Sequence, residues 1–317
     1  MTGTTAGLTV HAPDGVPEVA AGDDLAALLV PLLDLADGDL LVVTSKVVSK
    51  AEGRVVTGDR EAWIDAETVR PVAVRGATRI VRNRLGLTMA AAGVDASNVA
   101  AGSVVLLPLD PDASARRLRA GVAARAAVNV GVIVTDTAGR PWREGQTDIA
   151  IGAAGVTVLE SFAGRVDAHG NPLAVTAPAV ADQVAGAAEL AQGKLAARPC
   201  AVVRGRPDLV LPPGEDGPGA AALIRADGGD MFGLGAREAV VAAVAGRPED
   251  RLPFGAPASA GDLATALART GTPATVVGDD EVRCAAGTRV AVAIVAFAHG
   301  WEIHEGAADL SIRPVTP

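Results

Sequence analysis

Tyrosine is missing altogether from these 317 residues, and only three tryptophans and four phenylalanines are present. Rings therefore cannot supply the bulk of the interior, which must be assembled from Ala, Val and other small apolar side chains. Cysteine is nearly as scarce. Cys200 and Cys284 stand far apart and frame no disulfide scaffold, and Cys200, inside an apolar run, reads as an inert core thiol. No basic-then-apolar leader opens the sequence, so a cytoplasmic location is expected. Long apolar runs are absent too. The longest, Val290 to Ala298, falls well short of the ~18 residues a membrane span requires and reads as a buried strand. Positive charge is in deficit: 28 Lys and Arg face 37 Asp and Glu, a net charge of −9. That balance disfavours a general nucleic-acid surface but leaves room for a local basic pocket. Standard nucleotide fingerprints are missing as well. Gln192-Gly193-Lys194-Leu195 lacks the first glycine and the hydroxyl of a phosphate-binding loop, and Gly233-Leu234-Gly235 lacks the third glycine and preceding strand of a dinucleotide site.

What is present is a soluble globular pattern long enough for a large core and two domains. Its most informative stretch is Val128 to Arg140, a β-branched run that reads as a buried strand stopping at Thr135-Asp136-Thr137. An acid beside hydroxyls at a strand end suits a hard divalent cation, and the same residues also suit a plain turn. Arg140 and Arg143 follow at once, and their planar forks fit phosphate or carboxylate.

Earlier, acidic Asp23-Asp24 precede a helix from Leu25, and Leu40 to Val43 reads as a strand ending in Thr44-Ser45-Lys46-Val47-Val48-Ser49-Lys50. A hydroxyl and two lysines just past a strand end can hold phosphates or simply be solvated. Ala62 to Arg75 reads as a helix, and Thr78 to Arg84 as a strand with three arginines on one face. Asp95-Ala96-Ser97-Asn98 places a second acid and an amide three residues apart, either toward one ligand or in a self-bonded Asx turn. Further strands are expected at Val104 to Leu107, Ile149 to Gly155, Val156 to Leu159 and Cys200 to Arg204. Helices are expected at Ala115 to Ala127 and Ala179 to Ala191. Beyond Arg251 a helix and three strands, Arg289 to Ala298 among them, suggest a small α+β appendage. In its His299 to His304 segment a β-edge is favoured over a histidine metal pair.

Three of these segments, Val43 to Gly53, Ala92 to Asn98 and Val134 to Arg140, closely resemble, in order and separation, the coenzyme F420-0:γ-glutamyl ligase family. Gly15-Val16-Pro17-Glu18, Leu107 to Ser114 and Ala150-Ile151-Gly152 add to the likeness, which runs from about Val10 to Val240. The resemblance implies an α+β, two-lobed mixed fold, with a ligase domain over residues 1–247, a small α+β extension over 248–317, and a homodimer. It implies GTP-dependent joining of L-glutamate, through γ-linkages, to the deazaflavin precursor F420-0 by way of an acyl phosphate. It further implies that Asp95, Asp136 and Thr137 hold divalent cations, Mg²⁺ or Mn²⁺ and two per site, with K⁺ a further candidate. Gly15, Val16, Pro17, Glu18, Ser45, Lys46, Lys50 and Asn98 would contact GTP, while Arg140 and Arg143 would steady an anionic substrate. Asp148 and His169 are candidates for the base that accepts the amine's proton. Some members carry a further acidic metal ligand near Gln192-Gly193-Lys194, where this chain has none, and the short tail leaves no length for a flavin fold, so FMN is not expected. Neither nucleic acid nor membrane is an expected partner. The competing readings are a metal-dependent phosphohydrolase and a non-catalytic nucleotide-binding protein.

Overall fold

Short Val- and Leu-rich runs separated by polar turns can hide their backbone only by pairing, and here five of them pair into one sheet. The computed structural model describes residues 7–285, 289–305 and 309–315. In chain order the elements that matter are β1 (Thr9–His11), α1 (Leu25–Leu29), β2 (Leu40–Thr44), α2 (Ser45–Ala51), β3 (Val55–Thr57), α3 (Arg60–Glu67), β4 (Thr68–Arg75), β5 (Thr78–Asn83), β6 (Thr88–Ala90), β7 (Ser103–Val105), α4 (Pro111–Ala126), β8 (Gly131–Arg140), β9 (Arg143–Ala154), α5 (Val180–Gln192) and β10 (Cys200–Arg204). They are followed by α6 (Ala236–Ala245), α7 (Ala260–Arg269), β11 (Ala274–Gly278), β12 (Glu281–Ala285), α8 (Arg289–Ala298), β13 (Trp301–Glu305) and β14 (Asp309–Pro314). The architecture is mixed α and β, with several separate sheets.

Two compact units emerge, one made of residues 1–70 and 81–224, the other of 71–80 and 225–317. The first is built on the sheet β1-β10-β2-β8-β9, in which β2 and β8 run parallel and every other neighbour is antiparallel. Alternation along the strands divides its side chains between two layers. Leu41, Val43, Val132 and Val134 pack against Leu29 of α1, Val48 of α2 and Leu118 and Val122 of α4. Leu40, Val42 and Ile133 pack on the other side against Val180, Ala181, Val184 and Ala188 of α5. Small residues let these layers close tightly. A Cβ at Gly152 of β9 would fall 2.4 Å from the Pro111 carbonyl, so the start of α4 sits directly on the strand.

One buried guanidinium fastens the Pro/Gly-rich loop after β10. Arg119 of α4 donates from Nε to the Val130 carbonyl, from Nη1 to Glu215 O and Asp216 Oδ1, and from Nη2 to Asn129 Oδ1 and the carbonyls of Leu211 and Pro212. All its donors are thus spent on structure.

Several expectations are corrected. The Ser45–Lys50 segment is a helix, because Val48 enters the core while Lys46 and Lys50, four apart, share the opposite side. The helix expected over Ala62–Arg75 ends at Glu67. Pro71 and the β-branched Val69, Val72 and Val74 put Thr68–Arg75 into a strand instead. Alternation separates Arg79 from Arg82 and Arg84, so the three arginines do not share a face. Arg84 donates to Glu67 and to the carbonyls of Leu107, Pro108 and Leu109. β8 does not stop at Thr137 but runs on to Arg140 and turns into β9; it is β2 that stops, at the pair Thr44–Thr135. Val156–Leu159 is not a strand and contributes only a bridge from Val156 to Val210.

In the second unit the four-stranded sheet β11-β12-β14-β13 is covered by α7 and α8 around Leu263, Leu267, Val292, Ala296 and Trp301. Arg289–Ala298, expected as a strand, is a helix. Its buried residues follow a helical spacing, with Val292 and Ala296 four apart and Val290 exposed. Three of the seven rings gather here: Trp301 is buried with its Nε1 donating to Ala258 O, and Phe254 meets Phe297 edge to face. His304 lies on the edge strand β13, 3.4 Å from Glu302, and no metal group forms around it among the described residues.

Because Arg119 satisfies several buried carbonyls at once, Arg119→Met is expected to lower stability by about 3 kcal/mol. Denaturant unfolding measures the loss, and limited proteolysis should then cut within residues 209–219. An unchanged midpoint would show the loop to be held by other contacts.

Candidate active site at the end of the central sheet

Where β2 ends, its chain turns straight into α2, so that Ser45 and Lys46 arrive beside the continuing strand β8. Ser45 Oγ donates to Asp136 Oδ1 at 2.9 Å. Lys46 Nζ lies 2.7 Å from Asp95 Oδ2 and donates to Ser97 Oγ at 2.6 Å. One turn further, the Lys50 ammonium pairs with Glu18. The irregular segment from Gly15 to Glu18 is thereby tied to α2 at its last residue, with Gly15 at φ +79°.

Asp95 is delivered by a different device. Ala91 and Ala92 are both left-handed, at φ 51° and 55°, and are followed by Gly93 at φ 80°. Only small side chains tolerate such a run. Asn83 braces it, donating from Nδ2 to Ala92 O while its Oδ1 accepts from the amides of Leu85 and Leu87. After the bend, Asp95 exchanges backbone hydrogen bonds with Val105, and its carboxylate accepts from the Ser97 amide and hydroxyl. Asn98 closes the turn at φ 55°. The Asx turn is therefore real, yet its carboxylate also meets Lys46.

A third carboxylate faces the other side of the sheet. Alternation puts Asp136 on the layer of Val134, and Thr135 and Thr137 on the layer of Ile133. Both threonines donate to Asp148 of β9, at 2.9 and 2.8 Å. The Asp148 amide donates to Glu189 at the last turn of α5, and Lys194 Nζ donates to Thr137 Oγ1 at 2.8 Å. Among the described residues, the buried side-chain atoms lacking a hydrogen-bond partner are Ser49 Oγ and Gln192 Nε2, one in each of the helices that flank this centre.

The charges are unequal in their comfort. Burial desolvates Asp136, and although Ser45 hydrogen-bonds the ionised form, Asp148 and Asp95 add repulsion; the carboxyl is raised to about 6. For Asp95 burial also opposes ionisation, but the Lys46 ammonium and the Ser97 donors outweigh it and hold the group below the usual carboxylate range. The structure thus gathers Ser45, Lys46, Asp95, Asp136 and Thr137 around one sheet end, with Lys50 and Glu18 a turn away. Arg140 and Arg143 stand apart at the exposed β8–β9 hairpin, register partners whose positions lie about 13 Å along the strand from Asp136. Arg140 donates there to the Glu144 carbonyl. His169 sits in an exposed turn held by Asp167. The sequence reading left Glu189 and Lys194 out of the centre. The signal for Lys194 was the resemblance, which sets a further metal-ligand position near Gln192-Gly193-Lys194; Glu189 had only its place near the end of the Ala-rich helix.

Carboxylates held in a partly buried cluster against lysines, at the end of a helix-flanked sheet, define a charge-handling centre of an α/β enzyme. The chain belongs to the F420-0:gamma-glutamyl ligase family, whose model matches residues 15–205. Similar proteins include the coenzyme F420:L-glutamate ligase of Methanopyrus kandleri, 41% identical over 238 residues, which cover 68% of this chain and 93% of that protein. The coenzyme F420:L-glutamate ligase of Halobacterium salinarum is 39% identical over 208 residues, 58% of this chain and 81% of its own. That of Natronomonas pharaonis is 40% identical over 210 residues, 58% and 80% respectively.

The raised Asp136 carboxyl carries a sign. Its folded-state value exceeds the ordinary 3.8, so the proton favours the folded state, and this contribution is complete below that value and lost as pH rises through about 6. Asp136→Asn removes the loss. In metal-free buffer the melting temperature of the variant relative to the parent should therefore gain about 2–4 °C between pH 5 and pH 8, the equivalent of ~1 kcal/mol in a chain of this size. A difference that does not change with pH would show Asp136 to be solvated.

Proposed function

We propose that this protein is a ligase that joins L-glutamate through a γ-linkage to coenzyme F420-0, with GTP as the source of activation. Family membership supports the reaction class, and one observation carries its assignment to this centre. Asp136 is a desolvated carboxylate, pressed by two other carboxylates and hydrogen-bonded by Ser45 and the Thr137 amide. Such a group is offset most simply by a cation that arrives with the substrate.

Asp95 and Asp136 fit a divalent cation. Among the described residues no three carboxylate, imidazole or thiol groups converge into a cage. A donor set of two carboxylates leaves positions for phosphate oxygens and water, as Mg²⁺ prefers. When bound, that cation would neutralise phosphate charge and orient the transferred group. Lys46 and Lys50 stand where they can exchange their carboxylate partners for phosphate oxygens, and Ser45, Asn98 and Gly15–Glu18 complete the GTP side. In the reaction a carboxylate oxygen of F420-0 attacks the γ-phosphorus, the bond to the bridging oxygen breaks, and GDP leaves. The amine of glutamate then attacks the acyl carbon, its proton is lost, and inorganic phosphate departs as the amide forms. The chain's own task is to bring three anions together and hold them in line.

Purified protein given F420-0, GTP, Mn²⁺ and glutamate is expected to release GDP only when both F420-0 and glutamate are present, and mass spectrometry should show a product heavier by one or more glutamyl units. GDP release without glutamate would identify a phosphohydrolase instead, and GTP binding without turnover a binding protein. Lys50→Ala should raise the GTP concentration needed for half-maximal rate by roughly tenfold, about 1.4 kcal/mol of lost binding, with a smaller change in kcat. Unaltered GTP binding by calorimetry would remove Lys50 from the phosphate site.

A further inference from the structure

The family resemblance implies two divalent cations held by Asp95, Asp136 and Thr137, and around Thr137 the residues do not fit one. Thr137 Oγ1 gives its proton to Asp148 Oδ1 at 2.8 Å and accepts from Lys194 Nζ, also at 2.8 Å. A hydroxyl has one proton and two lone pairs, so one of the lone pairs that could bind a metal is already taken by an ammonium. A magnesium ion would need to approach the same oxygen to about 2.0–2.1 Å, within close range of that positive charge. Lys194 also stands 3.8 Å from Glu189, whose Oε2 accepts from the Asp148 amide. A unit positive charge thus sits among Thr137, Asp148 and Glu189 on the layer of the sheet opposite to Asp136.

Its attachment keeps it there. Lys194 follows α5 by two residues, and Gly193 between them takes φ +64° to turn the chain back toward the sheet. The side chain is 68% exposed, so its ammonium is reachable by an anionic ligand as well as by Thr137. A lysine is a compact cation with three donors, able to hold Thr137 and still meet a phosphate or carboxylate oxygen.

We propose that the Lys194 ammonium takes the place of a second divalent cation, so that this centre is built for one divalent ion, at Asp95 and Asp136, and one tethered positive charge at Thr137. The inference rests on the ligase reading above. Its consequence is a site whose second charge cannot be removed by chelation or leave with product.

Metal stoichiometry tests it without reference to turnover. Mn²⁺ is titrated into the full chain in the presence of a GTP analogue with a non-cleavable β–γ bridge and followed by electron paramagnetic resonance. The unaltered protein should bind one Mn²⁺ per chain with the spectrum of an isolated ion. Lys194→Glu, which replaces the ammonium with a ligand, should bind two and show the spin coupling of ions about 4 Å apart. Lys194→Met, which removes charge without adding a ligand, should remain at one. Two coupled ions in the unaltered protein would overturn the inference while leaving the ligase reading intact, and so would a single ion in a folded Lys194→Glu variant. No bound Mn²⁺ in any of the three would overturn the Asp95–Asp136 cation site itself, and this inference with it.

Discussion

A carboxylate held away from water is the constraint around which the first unit is arranged. Asp136 cannot be left ionised among Asp95 and Asp148 without help, and each element near it supplies some. α2 brings a serine to hydrogen-bond it, the bend after Ala91 turns Asp95 toward Lys46, and β9 locks Asp148 between two threonines. The residual imbalance is visible in the raised Asp136 carboxyl. Structural demands alone would favour a neutral side chain there, so a carboxyl at this position points to function.

The layered sheet turns this constraint into a working arrangement. Because successive residues of β8 point to opposite layers, Asp136 joins the lysines of α2 while Thr137 joins the end of α5. The center of charge therefore lies beyond the last residue of β2, where neither layer is closed by a neighbouring strand. Tight contacts farther back, such as Gly152 against Pro111 and the six hydrogen bonds of Arg119, keep the layers from shifting under the strain of that cluster.

β2, β10 and the first half of β8 were legible as short apolar runs rich in β-branched residues, and the three long motifs named residues that the fold brings to one sheet end. Where the reading went astray, tertiary packing overrode a local signal. The Ser45–Lys50 segment looks like a loop until Val48 finds a core, and Arg289–Ala298 looks like a strand until its spacing of buried residues is seen. Pro71 is a helix breaker inside the span expected as a helix, and the chain is already a strand where it reaches it. Lys194 stands where the resemblance sets an acidic metal ligand, and as a lysine it read only as the lack of one. A lysine after an Ala-rich helix is ordinarily solvated, and nothing local reveals that Gly193 aims it at Thr137. Asp95 shows the limit of either/or readings, since it is both an Asx turn and a partner of Lys46.

The pairing of β8 with β9 shifts by one residue between Val134 and Thr135, leaving Ile151 of β9 without a partner. By setting one extra residue of β9 against β8, it decides that Asp148, rather than a neighbour, lies opposite Thr137. Closing this irregularity at unchanged strand length would pair Thr137 with Ile149 in place of the carboxylate. Asp148 thus reaches the two threonines through the register of the hairpin as much as through its own chemistry.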